Sequence, residues 1–160
     1  MRHKSLIEPY SKRLVLVNEE VLALISSYRQ CTPDGCEAGG ILMGKRRGEH
    51  FEITFATAPQ PKDSRSRCRF TRNPGGHQEI AEERFRVTNG EENYIGEWHT
   101  HPENHPTPST IDTRDWKRLS KIHRVPLLVI IGGIQTNYFG LLAGSEIHIL
   151  NECRRSISRL

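Results

Sequence analysis

The sequence contains no uninterrupted run of about eighteen apolar residues, the length a membrane-spanning helix needs. Its basic start, Met1-Arg2-His3-Lys4-Ser5, leads into no apolar stretch, so no secretory leader is read there. Cysteine is scarce. Cys31, Cys36, Cys68 and Cys153 form no dense framework and are read as the reduced thiols of a cytoplasmic protein. A glycine-rich phosphate loop and an RNA-binding aromatic motif are both missing. So is His-Glu-x-x-His, which excludes a zincin helix. The cysteines never take the Pro-Cys-x-x-Cys spacing that a zinc deaminase needs. Neither internal repeats nor low-complexity stretches occur. The charge imbalance is small, a formal +4, which permits an acidic partner surface without demanding nucleic acid.

What is present centres on Gly96-Glu97-Trp98-His99-Thr100-His101-Pro102, running on to Ser109-Thr110-Ile111-Asp112. On a strand, residues 97, 99 and 101 face one way because the side-chain period is two. His99 and His101 then offer two imidazoles to one point. A turn punctuated by Pro102, Pro106 and Pro108 can fold the chain back so that Asp112 adds a carboxylate oxygen. Two histidines and one carboxylate suit zinc and leave a fourth position open for water, as catalytic sites require. The plainer reading makes Ser109-x-x-Asp112 a capping box that opens a helix. Capping leaves the paired histidines unexplained, and the two readings overlap, since Ser109 can sit at the N-cap while Asp112 turns to the metal.

At 160 residues the chain is long enough for one domain with a real core. The whole of 1–160 is read as that domain, with its core at about 13–149 and a short basic tail at 150–160. Residues 1–12 read as polar chain lying loosely over it. Arg13–Val17 reads as a strand, and Asn18 caps a helix with Val21, Leu24, Ile25 and Tyr28 at helical spacing. Ala38–Gly44 is a short apolar run bounded by glycines, hence a buried strand with Glu37 at its mouth. A carboxylate there could take the proton of an attacking water and return it to a leaving amine. His50–Ala58 is the hairpin partner. Pro59–Arg67 reads as a basic flexible loop and Cys68–Arg72 as a further strand. The spacing predicts a helix over 77–87, headed by a surface His77. Asn93–Thr100 is the histidine strand, and Thr110–His123 is a helix burying Ile111, Leu119 and Ile122. Trp116 either roofs the site or packs inside. His105 reads as an exposed residue at the site mouth. Pro126–Gly132 is a central buried strand, and 138–150 a hairpin around Gly144-Ser145. The tail carries Arg154, Arg155 and Arg159.

Glu37, with Gly40, Leu42 and Gly44 behind it, then His99-Thr100-His101-Pro102, Ser109 and Asp112, resembles the JAMM (MPN-plus, Mov34/PAD-1) metalloprotease family. The resemblance covers roughly residues 13–149. It implies an α/β fold with a mixed, curved sheet flanked by helices, related to cytidine deaminases. It implies one zinc ion per chain held by His99, His101 and Asp112, with Glu37 as general acid/base and Ser109 as donor to the oxyanion. The implied reaction is hydrolysis of the amide between the C-terminus of a ubiquitin-like or similarly conjugated protein and its target. The partner is thus a protein, with no nucleic acid and no membrane, and the enzyme is expected as a monomer. The connection Gly132–Asn137 is short where linkage-specific members carry a long insertion. The Gly-Glu-Trp-His-Thr-His-Pro wording is most similar to prokaryotic members. Among these are the JAMM peptidases of bacterial antiphage (CBASS) operons, which free a conjugated cGAS-like nucleotidyltransferase. The alternatives are a processing or deconjugating peptidase for a bacterial ubiquitin-like protein, and a non-catalytic MPN-type scaffold. Glu97 is a rival base, ranked below Glu37 and read as a supporting or groove residue. A thiol protease built on Cys36 is a further alternative, although Cys36 reads more simply as a small core residue.

Overall fold

The computed structural model describes residues 2–153. Arg154, Arg155 and Arg159 of the basic tail lie outside them. In chain order the elements are β1 (His3–Ile7), β2 (Leu14–Asn18), α1 (Glu19–Ser27), β3 (Gly39–Arg47), β4 (His50–Ala56), β5 (Ser64–Ser66) and β6 (Arg69–Thr71). There follow α2 (Pro74–Val87), β7 (Asn93–Thr100), α3 (Thr110–His123), β8 (Leu127–Gly132), β9 (Asn137–Ala143), β10 (Glu146–Ile149) and β11 (Asn151–Glu152). Nine strands form one mixed sheet in the order β10-β9-β8-β7-β3-β4-β2-β1-β11, while β5 and β6 pair separately. β2 with β4 and β7 with β8 are parallel, and the other neighbours in the large sheet are antiparallel. The two outermost strands, β10 and β11, are joined through Leu150 alone, so the sheet must curl until its edges nearly meet. This is the mixed α/β architecture with a curved sheet that the sequence leads one to expect.

Within 1–12, the described residues do not lie loosely over the domain. His3–Ile7 pairs along its whole length with β2, and Leu6 and Ile7 also meet β11. The segment looks polar because only Leu6 points into the core. β3 also runs beyond the apolar stretch Ala38–Gly44. Lys45–Arg47 extend β3, and the chain reverses at Gly48, which takes φ +61°. Pro59–Arg67 is folded rather than flexible: Arg65 Nε donates to the Glu37 carbonyl at 2.8 Å and Arg67 Nη1 to the Pro33 carbonyl at 2.7 Å.

β8 shows why its sequence is continuously apolar. Leu128 and Ile130 face the main core, with Val17, Ile25, Leu42 and Trp98, while Leu127, Val129 and Ile131 face a second core under Trp116 of α3. A strand buried on both faces cannot alternate in polarity. β7 and β8 are parallel, and the crossover between them is α3, so the helix carrying Asp112 lies against the strand carrying the histidines.

β7 carries a bulge. Leu42 pairs with Gly96 and Met43 with Tyr94, leaving Ile95 as the extra residue. Ile95 joins the main core and Tyr94 turns to the α3 side, the side of Glu97. Close approach of the strands at this point requires glycine: a Cβ on Gly96 would lie 1.8 Å from the Leu128 carbonyl oxygen.

Candidate active site

His99 and His101 project from β7 and the following turn towards the N-terminus of α3. Their Nε2 atoms are 3.1 Å apart, and Asp112 Oδ1 lies 3.2 Å from His99 Nε2 and Oδ2 3.1 Å from His101 Nε2. One ligand atom from each of the three residues fits within a 4.8 Å span. His101 Nδ1 lies 2.8 Å from Glu103 Oε1, and since a carboxylate has no proton to give, the ring donates there. That tautomer leaves the Nε2 lone pair of His101 aimed at a carboxylate and at a second imidazole nitrogen. Such a set of converging acceptors calls for a cation, and two imidazoles with a carboxylate match zinc chemistry. The donors therefore fit a metal, and the Glu103 contact is the kind that fixes a ligating imidazole in orientation.

α3 supplies Asp112 in a double role. Ser109 is the N-cap. Its Oγ accepts from the Asp112 backbone N–H at 3.1 Å, and Asp112 Oδ2 accepts from the Ser109 N–H at 2.8 Å, a complete capping box. One geometry thus completes the capping box and keeps Asp112 within reach of both histidines. The Asp112 carboxyl is held well below the usual carboxylate range. Burial opposes this, but the His101 and His99 rings, in the form that carries a proton on Nε2, donate to the carboxylate and outweigh it. Since the Ser109 hydroxyl accepts from the cap, its own proton stays free to donate to a ligand.

Glu37 sits just before β3, only 5% exposed, with Oε1 3.9 Å from His101 Nε2. Burial pushes its carboxyl up, against the pull of His99 and His101. A carboxyl raised in this way is a better proton acceptor near neutral pH. Its backbone is pinned to the β5–β6 arm: its N–H donates to the Ser66 carbonyl at 2.7 Å.

These groups open into a cleft of about 650 Å³. Its floor is Glu97, His99 and His101; one wall is Arg69–Arg72, and the other is the face of α3 carrying Ile111, Leu119 and Ile122. The expectation that α3 buries those three is corrected for Ile111 and Ile122, which are exposed, while Leu119 is half-buried against the second core. Trp116 is the residue it buries, against His99 and Tyr138, while Ile122 is 72% exposed at the cleft. Helical spacing identifies an apolar face, but a cleft can present such a face as well as a core. Glu97 is not poised as a base, because Arg72 and Tyr94 engage its carboxylate. His105 is exposed and bonded to Thr136, outside the cluster. Cys36 is exposed rather than a core residue, and among the described residues all four cysteines are free.

His77 is the clearest miss of sequence reasoning. It is fully buried, not a surface residue. Its Nε2 lies 2.7 Å from Asp63 and its Nδ1 2.7 Å from the Thr57 hydroxyl. Asp63 can only accept, so the chain of donors runs from Thr57 through the ring to the carboxylate. Asp63 also accepts from the backbone N–H groups of Gln60 and Asn73, closing the base of the arm that forms one cleft wall. No local signal marks this network, because its members lie far apart in sequence and look like loop polarity.

Comparison with known proteins agrees with this geometry. Residues 19–141 match the family described as prokaryotic homologs of the JAB domain. A protein of Pseudomonas aeruginosa named CD-NTase/cGAS isopeptidase is 39% identical, over 84% of this chain and 87% of its own. One of the same name from Escherichia coli is 35% identical, over 91% and 92%. A third, from Vibrio cholerae, is 39% identical, over 74% and 76%. A solution structure of a protein from Desulfitobacterium hafniense shares the fold, with a TM-score of 0.58 at 22% identity, covering 85% of this chain and 87% of that one. With most of its length matched and the relatives well above the level at which families diverge in fold, the chain belongs to the prokaryotic JAB-domain family.

Proposed function

We propose that this protein is a zinc-dependent isopeptidase that releases a CD-NTase/cGAS-type nucleotidyltransferase from the proteins to which its C-terminus has been conjugated, in bacterial antiphage (CBASS) defence. The observation that carries this reading is the meeting of Glu37 with His99, His101 and Asp112 at one end of an open cleft, in a chain whose relatives are named as isopeptidases. The whole chain acts as one domain, as a monomer, with one metal held by His99, His101 and Asp112. Bound there, zinc would supply Lewis acidity and lower the pKa of water towards neutral. Glu37 takes the proton of the attacking water and returns it to the leaving amine. Ser109 donates its hydroxyl hydrogen to the carbonyl oxygen as that oxygen gains charge. The cleft is open and has the short strand β6 along one wall, which suits a polypeptide better than an enclosed small molecule. A cytoplasmic setting accords with the free cysteines. Among the described residues no helix is long and apolar enough to cross a membrane.

The test joins metal content to cleavage. Wild type should carry about one zinc per chain, as three protein ligands and an open position require. His99→Ala and Asp112→Ala should lose it. Zinc-loaded wild type should cleave a nucleotidyltransferase conjugate at the junction amide, and a chelator should stop it. Stoichiometric zinc in both variants would remove the metal assignment. Cleavage of unrelated unfolded proteins, without cleavage of the conjugate, would point to a general protease.

A further inference from the structure

β5 and β6 form a two-stranded sheet that shares no ladder with the large one, although β6 walls the cleft. Something other than strand pairing must hold this wall at a fixed distance from the metal cluster. At the β5 end, the Glu37 N–H bond to Ser66 and the Arg65 bond to the Glu37 carbonyl do so. At the β6 end the chain leaves through Arg72. Its guanidinium meets Glu97 in a fork, Nε to Oε2 at 3.1 Å and Nη2 to Oε1 at 2.6 Å. Tyr94 donates its hydroxyl to the same Oε1 at 2.9 Å. Only the bulge at Ile95 makes this possible, since without it Tyr94 and Glu97, an odd number of residues apart, would face opposite sides. The Tyr94 ring also lies 4.9 Å from that of His123, in the last turn of α3. Glu97, two residues before His99, therefore stands on the cleft floor with ties towards both walls.

We infer that Glu97 is a positioning residue which, through Arg72 and Tyr94, clamps the β5–β6 arm to the histidine strand and so sets the width of the groove that receives the substrate polypeptide. A forked pair fixes angle as well as distance, which a single contact does not. Both partners are mostly buried, with side-chain exposures of 26% for Arg72 and 17% for Glu97. A pair so desolvated gives little net stability, but it does fix one arrangement of the groups that carry it. This inference rests on the peptidase reading for its kinetic consequence and not for its structural one.

The experiment has two arms. In the substrate-free protein, hydrogen exchange is followed in wild type, Arg72→Ala, Glu97→Ala and the double variant. The amides of 64–72 should exchange about tenfold faster or more in each variant, as expected when local opening is eased. Those of β8 should be unchanged. The double variant should be no worse than the more severe single one, because the changes break one interaction. In the kinetic arm, Arg72→Ala should raise KM for the full conjugate by about tenfold with a smaller change in kcat, the pattern of lost binding rather than lost chemistry. A short peptide amide spanning the scissile bond should suffer far less. Unchanged exchange in the arm, additive effects in the double variant, or equal losses on both substrates would each overturn the clamp. If wild type fails to cleave the conjugate, the peptidase reading fails, and the exchange arm still decides the clamp.

Discussion

A carboxylate kept at 5% exposure beside two imidazoles is poorly solvated in its charged form, and Glu37 holds that position at the mouth of a core strand. Such a placement makes sense if its proton is meant to move. Glu37→Gln should keep zinc but lower turnover by about a hundredfold to ten-thousandfold, the range of general acid–base contributions. Metal analysis beside single-turnover kinetics reads both, and a zinc-loaded variant of near-normal rate would exclude Glu37 as the base. Ser109→Ala should also keep zinc. It should lose about a hundredfold or more in kcat as an oxyanion donor, and about 1 kcal/mol of stability as a cap. Thermal melts recorded with the rates separate the two roles, since loss of stability alone would mark Ser109 as a cap only. The convergence of the histidines and Asp112 was legible in sequence because strand period and a helix N-terminus place them by local rules, whereas Glu37 was read from its place at the mouth of a core strand and from the family resemblance. His77 was not, because its partners Asp63 and Thr57 stand 14 and 20 residues away. Burial depends on such distant contacts, and no spacing rule encodes it.

At the scale of elements, α3 does two jobs with one helix. Its first turn presents Asp112, its middle seats Trp116 in the second core, and its cleft face leaves Ile111 and Ile122 open. The sequence marks the helix and its cap but assigns the apolar face to the wrong surroundings. It foresees the central strands from their apolar runs. It misses β1 because a five-residue strand with one buried residue carries almost no pattern. Trp116 is the joint between core and site, its ring centroid 6.2 Å from that of His99. Trp116→Ala should cost about 3–5 kcal/mol, as for a buried aromatic truncated to alanine. It should also weaken zinc binding by loosening His99. Trp116→Phe should recover most of both. Denaturant midpoints and a competitive zinc titration are the measurements, and a large stability loss with unchanged zinc affinity would confine Trp116 to the core.

Across the whole molecule, β1 and β11 close one side of a single curled sheet and the β5–β6 arm is bonded to it through Glu37 and Glu97, so unfolding should be a single transition. The buried Asp63 gives that transition a pH dependence with a definite sign. Its carboxyl is held below the ordinary 3.8. Burial works against this, and the N–H of Gln60, His77 and the N–H of Asn73 together outweigh it. A depressed folded pKa means that the native state favours the ionised form. The stabilisation is present in full above the unfolded value and is lost as pH falls through the folded one. Asp63→Asn keeps the size but turns an amide donor towards groups that also donate. It should destabilise the protein by about 1–3 kcal/mol at pH 7, the cost of leaving buried polar groups unsatisfied. The gap should narrow below about pH 4, where the carboxyl of the unfolded wild-type chain begins to protonate, and close further as the folded one follows at lower pH and loses the same interactions. Urea midpoints at pH 7, 5 and 3, with chelator present so that metal binding does not enter, measure it. The same substitution should speed exchange at Gln60 and Asn73, whose N–H groups the carboxylate holds. A gap as wide at pH 3 as at pH 7 would mean that Asp63 acts by shape and not by charge. Equal stability at pH 7 would mean that the arm is anchored without it.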